Sequence, residues 1–91
     1  MTVYYSKGGS SGSPLDFQTV GNWNDQTDGG GSDASTLVGH DLIIQNGDYM
    51  TLGATVTTDS LDVLAGGHLA ANNSYQLQLA GADGGNDIIL I

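Results

Sequence analysis

The chain has no cysteine, no glutamate and no arginine, and it has one lysine and one proline. Without cysteine there is no disulfide framework, no thiolate metal site and no cysteine nucleophile. With no Glu or Arg and with Lys7 alone, the charged outer face of an amphipathic helix cannot be written, which argues against a helical domain. The same shortage leaves ten aspartates against one lysine and a formal charge of −9. Nucleic-acid binding rests on Lys and Arg neutralising phosphates, and anionic membranes attract basic segments, so neither partner is expected. No apolar run approaches the ~18 residues that a membrane-spanning helix needs. The opening residues Met1–Lys7 lack a basic segment followed by an apolar run, so no secretory signal is visible.

What the chain does contain is turn formers. Gly, Ser, Asn and Asp supply 39 of the 91 residues. Glycine reaches positive φ freely, and Asn and Asp bond their own main chain. Leu, Ile, Val and Phe together number 21, just above the level at which a charged chain stays disordered. One small all-β domain with many turns is the economical reading. Residues 2–5 read as a strand, and 6–14 (SKGGSSGSP) as a flexible Gly/Ser arm. Residues 1–14 are therefore expected as an N-terminal strand and arm, and 15–91 as a single β-rich domain. Leu15, Phe17 and Thr19 alternate as in a half-buried strand, and residues 24–36 read as a loop.

From residue 37 short apolar runs recur between glycine turns. An offset of 19 residues lays Leu42 over Leu61, Ile44 over Val63, Gly47 over Gly66, Met50 over Leu69 and Leu52 over Ala71. The same offset lays Val56 over Tyr75, with a poorer match. Leu77 and Leu79 alternate with Gln76 and Gln78, and the turn 80–86 leads into Asp87–Ile91. Two related units and the start of a third suggest a repeat whose members bury their apolar faces by stacking.

The LxV–xxGG–xL rhythm of residues 61–69, its echo at 42–50, and the segment GNWND (21–25) leading to GHDLII (39–44) resemble right-handed parallel β-helix proteins of bacterial surfaces and virions. The resemblance implies a short parallel β-helix, or β-solenoid, with Gly-rich turns over residues 20–91. It also implies that Trp23 caps the open core at the first rung, and Phe17 is grouped with it. Such coils usually run for many rungs, whereas this chain supplies barely two and a half. A compact β-sandwich using similar strands is the alternative.

Candidate sites are weighed against plainer roles. Asp25, Asp28 and Asp33 surround Gly29–Gly31, and Asp83 and Asp87 flank Gly84–Gly85, but neither spacing fits a known calcium loop. They are expected to cap turns, with no metal. His40 and His68 have no Cys or third His beside them, and no nucleophile-elbow pattern occurs. No catalytic residue and no cofactor are therefore expected. Tyr4, Tyr5, Trp23, Tyr49 and Tyr75 show no spacing that makes a common sugar-stacking face.

The run Ile88-Ile89-Leu90-Ile91 is apolar on both strand faces, so both faces are expected to be buried. Another polypeptide is the expected cover, because a bare strand of this kind invites aggregation. Ile88, Ile89, Leu90 and Ile91, with Tyr4 and Tyr5, are the expected subunit-interface residues. The functional expectation is a non-enzymatic structural protein of a virion: a capsid decoration, tail or fibre-type component. It acts by self-association, as a trimer, and by binding other virion or surface proteins. The alternative is a fragment of a secreted bacterial β-helix adhesin or carbohydrate-binding surface protein. An enzyme is not expected, since a polysaccharide-degrading coil needs a cleft several rungs long.

Overall fold

Runs of four or five residues with alternating apolar positions, broken by Gly, Asn and Asp, favour short strands joined by tight turns. The computed structural model describes residues 2–71, 75–79 and 87–90, and the fold is all-β. The described strands are β1 (Val3–Ser6), β2 (Leu15–Asp16), β3 (Trp23–Asn24), β4 (Asp41–Ile44), β5 (Tyr49–Leu52), β6 (Val56–Thr58), β7 (Ser60–Val63), β8 (His68–Ala71), β9 (Gln76–Leu79) and β10 (Asp87–Leu90). A 3-10 turn, Val20–Asn22, precedes β3. No helix among the described residues is long and apolar enough to cross a membrane.

The strands form three small sheets, ordered β3-β1-β4-β7, β2-β5-β8 and β6-β9-β10. Within them β1, β4 and β7 run parallel, as do β2, β5 and β8, and as do β6 and β9. Two pairings are antiparallel: β3 on β1 and β10 on β9. β4 meets β7 with Leu42 opposite Leu61 and Ile44 opposite Val63. β5 meets β8 with Met50 opposite Leu69 and Leu52 opposite Ala71. These are the partners that the 19-residue offset aligns. The third pairing departs from it, because Val56 stands opposite Leu77 and not Tyr75. Four positions separate Leu52 from Val56 but six separate their partners Ala71 and Leu77, which moves the register by two.

The strand expected over Leu15–Thr19 is shorter. Pairing with β5 continues through the Phe17 N–H to the Thr51 carbonyl at 2.8 Å, after which a turn begins with the Thr19 N–H bonding back to Asp16. The stretch expected as a loop over 24–36 begins instead inside β3, and Asn24 forms an isolated bridge with Asp33. β1, close to the strand expected over residues 2–5, lies between β3 and β4 in one sheet.

One corner stacks level upon level. Gly47 and Gly66 both take positive φ, and the Gly47 N–H donates to the Gly66 carbonyl at 3.0 Å. A side chain that favours negative φ would open these turns. On the other side of the same corner the Tyr49 N–H reaches the Gly8 carbonyl, and Gly9 sits against the Tyr49 carbonyl. A second corner is built on His40. Its carbonyl accepts from the Asp59 N–H and from the buried Thr58 hydroxyl, and its Nδ1 accepts from the Thr2 N–H. Among the described residues every buried side-chain polar atom has a partner.

The core follows the period of two. Leu42, Ile44, Met50, Leu52 and Val56 face inward from β4, β5 and β6, and Leu77 from β9 joins them. Phe17, Trp23, Ala34 and Leu37 complete the buried cluster. Each large side chain fully withdrawn from water contributes on the order of 1.5–3 kcal/mol. Gly9→Ala places a Cβ into the Tyr49 carbonyl at positive φ, and it is expected to destabilise by more than ~1 kcal/mol in urea denaturation. Gly12→Ala, with open space around it, is the control and is expected to be neutral or slightly stabilising. Equal midpoints for the two variants would contradict the stacked corner.

Candidate functional site

Four features concentrate the chemistry: the Phe17–Trp23 pair, the aspartate loop, a polar cleft beside Lys7, and the sheet edges. Phe17 and Trp23 are fully buried, and their rings meet edge to face with centroids 5.1 Å apart. The indole N–H donates to the Phe17 carbonyl at 2.8 Å, so the large ring enters the core without an unpaired donor. The Ala34 N–H bonds the Trp23 carbonyl and ties the returning loop down over it.

The loop aspartates are engaged by main chain. Asp25 accepts from the Ser32 N–H at 2.9 Å, and Asp28 from the Gly30 N–H at 2.9 Å. The buried Asn24 organises the rest: its carbonyl oxygen accepts from the Gln26 and Gly31 N–H groups, and its amide donates to Asp33 at 2.8 Å. Lys7 reaches both oxygens of Asp33 at 3.0 and 3.2 Å. Among the described residues no three His, Cys, Asp or Glu side chains gather as a metal site would need. Asp83, in the second expected cluster, lies outside the described residues, as does the side chain of Asp87.

The Asn24 amide, and after it the Lys7 ammonium, hold the Asp33 carboxyl below its ordinary value of 3.8. The native pKa is therefore lower than the unfolded one. Asp33 stabilises the fold above the unfolded value, and this contribution is lost as pH falls through the lowered native value. The pair is solvent-exposed, so its share of stability is small. An NMR titration of the Asp33 carboxyl is expected to give a midpoint below 3.8. In Lys7→Met the midpoint moves upward yet stays below 3.8, since the Asn24 bond remains. A wild-type midpoint at or above 3.8 would contradict the geometry.

A polar cleft of about 280 Å³ opens beside Lys7, with Ser6, Thr27, Asp28, Gln45 and Asp48 in its walls. The buried Ser6 hydroxyl donates to Asp48 and accepts from the Gln45 N–H. The Gln45 amide in turn donates to the carbonyls of Ser6 and Thr27, both at 2.9 Å. These groups satisfy one another and brace the first sheet against the loop. Neither histidine reaches this serine: the Tyr4 and His40 rings meet edge to face, and the His68 ring stacks on Tyr49 with centroids 4.6 Å apart. Tyr4 and Tyr5 are half-buried in β1, and Tyr75 is exposed.

The sheet edges are less complete. Among the described strands β7 and β8 end their sheets on one side, and β6 ends the third sheet on the other. On the β7 side Val63 and Leu64 are each 46% exposed, and Leu61 and Leu69 are only half-buried. Beside β6 lies a groove of about 440 Å³ walled by Val20, Leu37, Val38, Thr55, Val56 and Thr57. Of the expected interface residues, Ile88, Ile89 and Leu90 belong to β10; their side chains, and Ile91 altogether, lie outside the described residues. Val38 follows no strand periodicity, and its one sequence signal is the adjacent apolar pair Leu37-Val38 between polar stretches. No protein-family model, curated protein or solved structure matches the chain.

Proposed function

We propose that the chain is a short parallel β-helix serving as a non-enzymatic structural component of a virion, a decoration, tail or fibre-type part that works by self-association. The β-helix reading is supported by strands of like order pairing in parallel at a constant 19-residue register in two sheets. Phe17 and Trp23 then act as the cap over the first turn. The observation that carries the functional reading is the incompleteness of the ends. β7 and β8 carry no outer partner among the described strands, and apolar side chains stand half in water beside them. A stack this short has little core of its own, and a neighbouring chain closes what it leaves open. The net charge of −9 keeps such a part hydrated and directs contacts to its uncharged surfaces.

Light scattering is expected to give a mass that is a multiple of the single chain, three copies being the expected count. Ile89→Asp, which puts a charge into the apolar terminal strand, is expected to reduce the mass to one chain while circular dichroism keeps its β signature. A wild-type protein that is monomeric at high concentration would overturn self-association. Purified particles from the source should contain the chain at a fixed copy number, and its absence from them would overturn the virion assignment.

A further inference from the structure

The three sheets are unequal at the end where the chain begins. β4 has β1 as its outer neighbour and β5 has β2, but among the described strands β6 has none in the equivalent place. On that side of β6 the groove runs between residues 54–57 and the irregular segment 35–38. Val38 is 60% exposed on one wall and Val20 37%. Among the described residues the lining carries no charged side chain, in a chain that has ten aspartates. A strand edge beside an uncharged groove, lined by Val20, Leu37, Val38 and Val56 together with Gln18, Ser and Thr side chains, suits an added extended strand: main-chain bonds hold it and alternate side chains enter the groove.

We infer that this groove receives the terminal strand β10 of a second copy. The inference rests on the self-association proposed above and assigns it a surface. Three observations select this occupant. Residues 88–91 are the longest purely apolar run in the chain, and the segment bears a single charge, Asp87, at its start. β10 pairs with β9 on one edge and, among the described strands, ends its sheet on the other, so it too has an edge to offer. Two chains of charge −9 repel, and contact between uncharged surfaces incurs the least of that repulsion. β6 and β10 are of similar length, three and four residues. The contact joins two different surfaces, so copies close into a ring if the rotation permits and otherwise grow as an open chain.

The test uses the full chain. Val38→Asp charges the groove at an exposed position where folding is undisturbed, and Val3→Asp, at an exposed valine outside the groove, is the control. Light scattering is expected to show wild type and Val3→Asp as multimers and Val38→Asp as a single chain. In a second measurement, Val38→Cys copies are mixed with Ile89→Cys copies and treated with a short bismaleimide. With no native cysteine, a product of two chains that forms only in the mixture places the two positions together. A multimeric wild type in which Val38→Asp leaves the mass unchanged and no mixed product forms overturns the groove assignment and leaves self-association standing. A monomeric wild type overturns both.

Discussion

The structure depends on in-register parallel pairing between strands 19 residues apart. β4 on β7 and β5 on β8 each place an apolar side chain directly over its counterpart, Leu42 over Leu61 and Met50 over Leu69. Each strand is only four residues long, too short to hold as an isolated hairpin. Stacking completes the ladder bonds of one level with the backbone of the next and withdraws the inward side chains from water at the same time. Register therefore matters more here than in a large sheet, because a slip by one residue would turn Leu42 and Ile44 to the outside. The stacked glycine corner guards against that slip: Gly47 and Gly66 bond across levels, and the turn positions stay in step with the strands.

Around this stack the polar residues serve the backbone. Asn24, Asp25 and Asp28 accept main-chain N–H groups of their own loop, and Ser6 and Gln45 join the first sheet to it. A chain with so many aspartates thus holds long irregular segments in place without burying charge. Among the described residues large apolar side chains are exposed at the groove beside β6 and next to β7, and also at Val3 and Tyr75. Those at the groove and next to β7 lie beside strands that end the described sheets, and these are the ones that the proposed function and the proposed docking of β10 use.

Much of this was legible in the residues. The offset of 19 aligned the pairs that β4–β7 and β5–β8 adopt, since apolar periodicity and turn glycines are local and repeat visibly. The third pairing was not legible by the same rule, because the extra two residues before β9 move Val56 onto Leu77. β3 escaped notice for a related reason: two residues, Trp23 and Asn24, carry no periodicity, and their strand exists only because β1 lies alongside. The groove was legible only in part. The pair Leu37-Val38 is a local signal, but Val20 stands 18 residues before Val38 until the loop brings the two to one edge.

The sequence by itself determined the class of structure. A scarcity of helix-forming charge, an abundance of turn residues and a recurring apolar rhythm permit short strands and little else. It also determined which side chains of β4 and β5 enter the core, because alternation assigns them there, whereas the same rhythm leaves Val63 of β7 46% exposed. Only the tertiary structure decided which edges stay open. Whether β6 has a neighbour depends on where the returning chain passes, and that is set by long-range contacts such as the Ala34 N–H to the Trp23 carbonyl and Gln18 to the Gly53 N–H. Local preference selects the strands, whereas the free energy of bringing distant segments together selects their partners.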